Sequence, residues 1–150
     1  METAKQLSVS LVNKPGRLAA MLAGLSKGKV TLRALAVMDS GDRGTVRFVP
    51  DDVDAAGLIL KNLGVTSQTT NVLLVDVPRH VGAFRSICER LAAEHINIDY
   101  AYSSLTERGA KGGLAVFKVN NIAKAQQLLS ENGGNAARRQ IPTRRPLHTR

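Results

Sequence analysis

Leu7, Val9 and Leu11 alternate with Ser8 and Ser10, the period-two pattern of a strand with one buried face. From Pro15 the spacing changes. Leu18, Met21, Leu22 and Leu25 fall on one side of a helix, predicted over 15–27 and stopped by Gly28. Val30 to Met38 alternates again, Asp39-Ser40-Gly41-Asp42-Arg43-Gly44 has the composition of a hairpin turn, and Thr45 to Val49 is the returning strand. Pro50-Asp51-Asp52 supplies a turn with acids at a helix start. Val53, Ala56, Leu60 and Leu63 continue at helical spacing until Gly64, and a short strand near 65–69 closes the unit.

Strand, helix, strand, strand, helix, strand is the split βαβ, ferredoxin-like order, an antiparallel sheet with both helices on one face. The pattern then recurs. A shift of 66 places Val9 on Val75, Leu11 on Val77, Gly16 on Gly82, Leu18 on Phe84, Leu25 on Leu91 and Val30 on Ile96. A shift of 69 places Asp52 on Asn121, Ala56 on Ala125, Leu60 on Leu129 and Gly64 on Gly133, so the three extra residues are predicted in the hairpin around Glu107–Gly113. Each half, at about 65 residues, buries a modest fraction of its surface alone. Thr69-Thr70-Asn71 runs directly into Val72-Leu73-Leu74-Val75. The fold class is therefore read as α+β: two ferredoxin-like βαββαβ units side by side, in one continuous eight-stranded antiparallel sheet with the helices on one face.

Between the first strand and the first helix stands Asn13-Lys14-Pro15-Gly16-Arg17-Leu18. Asn13 is positioned as an N-cap, and Pro15 suits a first helical turn, where its missing donor costs nothing. Gly16 carries no Cβ to obstruct approach. Such a corner either makes a plain turn or aims backbone N–H groups at a small anion such as a carboxylate.

The composition narrows the function classes. No run of eighteen apolar residues occurs, and Met1-Glu2-Thr3-Ala4-Lys5 lacks the apolar core of a secretory signal, so a cytoplasmic, non-membrane protein is expected. The net charge of +9 suggests a polyanion partner, but Arg138, Arg139, Arg144, Arg145 and Arg150 account for five of it and leave +4 on the first 135 residues. Cys88 is the sole cysteine, beside Ile87 and Leu91 on an apolar helix face, so it builds no disulfide or zinc site and reads as an inert thiol. His80, His95 and His148 share no ligand spacing, and Ser8, Ser10 and Ser103 lack a Ser-His-Asp setting. No catalytic residue, metal site or cofactor motif is predicted, and the protein is read as no enzyme.

The corner, the Asp39–Gly44 hairpin with Val46-Arg47-Phe48-Val49, the Asp51-Asp52 helix start and Ile96-Asn97-Ile98-Asp99-Tyr100 together resemble the tandem ACT-domain proteins over about residues 5–134. The resemblance implies a first ACT-like domain over 5–70, a second over 71–141 and a basic tail over 142–150. It also implies a regulatory module that binds a small amino acid or related effector between paired domains. Asn13, Pro15, Gly16 and Leu18 match the family's ligand-side loop. The second corner, Pro78-Arg79-His80-Val81-Gly82-Ala83-Phe84, keeps Gly82 and the apolar Phe84 but loses the proline and the asparagine or aspartate.

An α-amino acid needs N–H donors for its carboxylate and oxygen acceptors for its ammonium. The principal ligand-binding site is accordingly placed at Asn13, Lys14, Pro15, Gly16, Arg17 and Leu18, facing Asn97, Ile98, Asp99 and Tyr100 of the second unit. A weaker one is placed at His80, Val81, Gly82, Ala83 and Phe84. Asp99 is either the ammonium's acid or a solvent-facing residue opposite Ile96 and Ile98. Tyr100 and Tyr102 share one strand face and either line a pocket or pack beneath the helices, the second reading being favoured. The other sheet face carries Val12, Leu35, Val37, Val72 and Leu74, which argues for a homodimer, and output would pass through a protein partner. The alternative is a ferredoxin-like RNA or nucleic-acid binder using the basic tail, disfavoured by 3% aromatic residues. A scaffold with degenerate pockets is the third reading.

Overall fold

The computed structural model describes residues 1–109 and 112–135. Its elements run β1 (Glu2–Val12), α1 (Arg17–Lys27), β2 (Leu32–Ser40), β3 (Arg43–Pro50), α2 (Val53–Asn62), β4 (Ser67–Pro78), α3 (Ala83–Ala93), β5 (Ile98–Gly109), β6 (Gly112–Val119) and α4 (Ile122–Asn135).

All strand pairs are antiparallel, and the order β1-β3-β2-β5-β6-β4 closes on itself as a barrel. The expected open eight-stranded sheet is thus replaced by six described strands in a ring. Two of the expected strands are one. With no glycine or proline between Thr69 and Val72 to turn the chain, β4 runs straight through, pairing with β1 over Ser67–Leu74 and with β6 over Leu73–Pro78. The eighth strand, expected after the last helix, falls outside the described residues, as does the basic tail. On the far side the ring closes where β2 meets β5 at Ala34 and Ser104, whose Oγ donates to the Arg33 carbonyl at 2.6 Å.

The repeat is visible in the registers. Ser8 pairs with Arg47 and Leu74 with Val116; Ser10 pairs with Thr45 and Asp76 with Leu114; Val12 pairs with Arg43 and Pro78 with Gly112. Each second pair is the first displaced by the two sequence shifts. The three-residue insertion, expected in the hairpin, is instead taken up within β5, where Ser103 faces Ala115 and Arg108 faces Gly113. The helix starts repeat too. Asp52 caps α2 by accepting from the Ala55 N–H at 3.0 Å, and Asn121 accepts from the Lys124 N–H at 3.1 Å.

The helices cover the outside of the barrel in two pairs. α1 and α2 bury Met21, Leu25, Ala56 and Leu60 against Leu7, Val9, Val46 and Phe48, while α3 and α4 bury Ile87, Leu91 and Ala125 against Leu73, Val75 and Phe117. A third core fills the barrel itself, with Ala34, Val49, Val72, Leu74 and Val116 fully enclosed and Tyr102 packed on them. Closure thereby covers Val72 and Leu74, two residues of the face expected to seek a second copy. Leu35 turns toward the α1–α2 core, and Val37 stays exposed. Tyr100 and Tyr102 do share a face, but it is the barrel interior and not the helix side. The reason is a bulge: Ile98 pairs with Val119 and Tyr100 with Lys118, so Asp99 is an extra residue that flips the faces after it.

Candidate functional site

The interior of the barrel changes character along its length. Beyond the apolar layer of Ala34, Val72, Leu74 and Val116, the strands of the first half turn polar residues inward, and a cleft of about 680 Å³ opens at that end. This falls within the range of small-molecule sites, about 300–1,000 Å³. Its walls include Ser8, Ser10, Thr45, Arg43 and Arg47 from β1 and β3, Gln68 and Thr70 from β4, Arg17 from the start of α1 and Tyr100 from β5. Both halves of the chain therefore contribute.

The floor is a polar network. Gln6 is fully buried; its Nε2 donates to the Tyr100 hydroxyl at 2.6 Å and to Ser8 Oγ at 3.3 Å, and its Oε1 accepts from the Tyr102 hydroxyl at 2.7 Å. A buried amide satisfied on both ends fixes its neighbours' orientation. The two tyrosine rings stack with centroids 6.5 Å apart. Burial pushes the Tyr102 phenol well above its usual range, Tyr100 adds to the shift and the Arg47 charge opposes it.

The guanidinium of Arg47 lies over the Tyr100 ring, 4.1 Å from its centroid, with one N–H to Met38 Sδ at 3.7 Å. Arg43 is held by Ser10, Nε to Oγ at 2.7 Å and Nη2 to the carbonyl at 2.9 Å. Among the described residues neither arginine forms an ion pair, and no acidic side chain lines the cleft. The walls supply cationic forks and hydroxyls, a chemistry suited to carboxylate or phosphate.

Of the predicted site, Arg17 and Tyr100 line this one cleft. Asn13 does not cap α1. Its N–H donates to the Asp42 carbonyl at 2.8 Å and its Nδ2 to the Gly41 carbonyl at 3.3 Å, which fastens the corner to the β2–β3 turn. The helix begins later, at Arg17, because Gly16 takes the cap position with φ 85°, leaving Lys14 and Pro15 exposed ahead of it. Leu18 packs against the first core. On the other strand, Ile98 packs on the second core, and Asn97 Nδ2 donates to Asp99 at 2.9 Å. Lys118 Nζ meets Asp99 at 3.0 Å; that bond first, and the one from Asn97 second, holds the Asp99 carboxyl below its ordinary value.

The second corner is built like the first, with Gly82 at φ 83° capping α3. His80 and Val81 are exposed there, Ala83 is buried, and Phe84 stacks on the enclosed Phe117 at 5.5 Å between centroids. At the position repeated from Arg43, Gly112 has no room: a Cβ there would lie 2.1 Å from the Val77 carbonyl oxygen. Cys88 is a half-buried free thiol, and the described residues hold no cluster of three or more metal-ligating side chains. Gln6, Arg43, Thr45 and Arg47 escaped the reading of the sequence. Their signal was in the repeat, where Val72, Gly112, Leu114 and Val116 occupy the copied positions.

The comparisons with known proteins decide the family. A family model described as an ACT domain pair matches residues 2–137. The chain belongs to that family. Protein BT0572 from Bacteroides thetaiotaomicron has 31% identity to this ACT pair and a TM-score of 0.80, with 87% of this chain and 89% of that one covered. The ligand-free regulatory subunit of aspartate kinase from Thermus thermophilus has 13% identity and a TM-score of 0.63, covering 89% and 91%. The ACT pair also spans 34% of the Clostridium acetobutylicum aspartate kinase at 17% identity and a TM-score of 0.51, with 89% of this chain covered. The two kinase likenesses show the shared fold. Among curated protein sequences none matches this chain significantly.

Proposed function

We propose that this ACT pair is a regulatory, non-catalytic module that binds a small amino acid or related effector in the cleft at the polar end of its barrel. The observation that carries the reading is the placement of the Gln6–Tyr100–Tyr102 network under that cleft, because it ties β1 of the first half to β5 of the second. An occupant touching Tyr100 and Arg47 touches both halves, so it stabilises one arrangement of them over others. Arg17, from the corner that resembles the family's ligand-side loop, lines the cleft, which supports the reading. The fold shared with the regulatory subunit of the Thermus thermophilus aspartate kinase supports a role of the same kind, with output through another protein, and the exposed Val37 and Met38 of β2 offer apolar surface for self-association into a homodimer. The tyrosines that would stack RNA bases on an open sheet are turned inward, so nothing favours nucleic acid. Thermal denaturation of the full chain with each of the twenty amino acids and a panel of small carboxylic acids tests the proposal. Binding at a hundredfold excess over Kd adds about 2.7 kcal/mol of stability. A panel that leaves the melting temperature unmoved removes the reading.

A further inference from the structure

We infer that the cleft selects an acid with two anionic groups, a dicarboxylate or a phosphorylated carboxylate, and discriminates against amino acids with neutral side chains. The inference rests on the reading of the cleft as the effector site and names its ligand class. The repeat supplies an internal control that few folds offer. Ser8–Arg47 and Ser10–Thr45 occupy the same registers as Leu74–Val116 and Asp76–Leu114, and in the second half Leu74, Leu114 and Val116 fill the barrel with apolar groups. The fold therefore has no structural need of a guanidinium at Arg47 or a hydroxyl at Thr45. At Arg43 the contrast is steric, since its copy Gly112 is closed off by the Val77 carbonyl, whereas Arg43 reaches over Ser10 into open space.

What remains is a cleft whose walls, among the described residues, carry three guanidiniums and no acid. An ammonium entering it meets like charge on each side and finds only hydroxyl and amide oxygens, so a zwitterion is badly matched. Arg43 and Arg47 share one face of β3, and their guanidiniums are held by different strands, Arg43 on Ser10 of β1 and Arg47 over the Tyr100 ring of β5. Two separately held forks each take an anionic group, so an acid with two such groups on one short carbon chain answers both. Arg47 is pre-oriented by the Tyr100 ring and Arg43 by Ser10, so little side-chain freedom is lost on binding.

Isothermal titration of the full-length chain at constant ionic strength provides the test, with glutarate and 3-phosphoglycerate as two-anion probes and acetate, glycine and leucine as controls. Binding of either two-anion probe at least tenfold tighter than every control is expected, and whichever is tighter identifies the source as dicarboxylate or phosphate. Arg47→Gln and Arg43→Gln should each weaken that binding tenfold or more. Lys118→Gln, a charge removed outside the cleft, should not. Arg43, whose side chain bonds only Ser10 among the described residues, provides the variant whose folding is least affected, and circular dichroism verifies both. Glycine or leucine binding as tightly as the two-anion probes overturns the ligand class while leaving the effector site standing, as does affinity for glutarate that survives Arg43→Gln and Arg47→Gln. Failure of every probe and every amino acid to bind removes both.

Discussion

The Tyr102 hydroxyl donates to Gln6 Oε1 at 2.7 Å, joining β5 of the second half of the repeat to β1 of the first inside a closed barrel. Among the described residues Gln6 is the one polar residue with a fully buried side chain, and it serves two phenols at once. Gln6→Ala leaves both without their partner in the barrel interior. A buried polar group stripped of its bond costs about 1–3 kcal/mol, so a loss of roughly 3 kcal/mol is expected in urea denaturation. Gln6→Val combined with Tyr100→Phe and Tyr102→Phe, which removes the whole network, should cost less than Gln6→Ala alone. A Gln6→Ala protein as stable as the parent would show that the network holds nothing.

Tyr102 also sets an alkaline limit. Burial raises its pKa in the folded protein above the usual value near 10, with Tyr100 as the second cause. The folded state then holds the proton more tightly than the unfolded chain. The sign follows: stability is fully present below about pH 10, where both states are protonated, and is lost as pH rises from the unfolded pKa toward the folded one. Melting temperatures measured across that window should fall steeply. Tyr102→Phe should flatten the slope, although it lowers the melting temperature at neutral pH by forfeiting the bond to Gln6. Equal slopes in the two proteins would assign the alkaline loss elsewhere.

Gly16 and Gly82 cap α1 and α3 at φ 85° and 83°, and a Cβ at either meets nothing within 4 Å. Space is therefore not the constraint; the left-handed backbone is. An L-residue there costs about 1–2 kcal/mol, so Gly16→Ala and Gly82→Ala should each lose that much and by similar amounts. Stability measured by denaturant titration checks the equality. A much larger loss at Gly16 alone would mean that the first corner carries strain which the second lacks.

Those two glycines also mark what was legible beforehand. Alternation at Leu7, Val9 and Leu11, helical spacing at Leu18, Met21 and Leu25, and the coincidence of Gly16 with Gly82 are local patterns, and local patterns survive without coordinates. The barrel was not legible. Its closure at Ala34 and Ser104 joins residues 70 positions apart, and the Asp99 bulge that turns Tyr100 inward leaves no periodic trace. The inward turn of Ser8 and Arg47 was not legible either, because alternation distinguishes two faces of a sheet without saying which one becomes an interior. Only the comparison of Arg47 with Val116 across the repeat carried that information.

The same comparison yields a stabilising prediction. Lys29 and His95, at equivalent positions past the ends of α1 and α3, both adopt left-handed backbone, φ 59° and 56°. Each sits within a matched set of helix-ending bonds: the Lys29 N–H to the Ser26 carbonyl and the Val30 N–H to that of Leu25 in one, the His95 N–H to Ala92 and the Ile96 N–H to Leu91 in the other. This is the position at which glycine usually ends a helix, because only glycine enters it without steric cost. The geometry is fixed by Val30 and Ile96, buried in their respective cores, so the strained residue does not relax. Lys29→Gly and His95→Gly should each raise stability by about 0.5–1 kcal/mol, the relief of the left-handed strain less the entropy that glycine adds to the unfolded chain. The sites lie on different helices, so the two gains should add in the double variant, as read from urea midpoints at unchanged slope. A loss at either position would mean that the lysine or histidine side chain makes a contact worth more than the strain it carries.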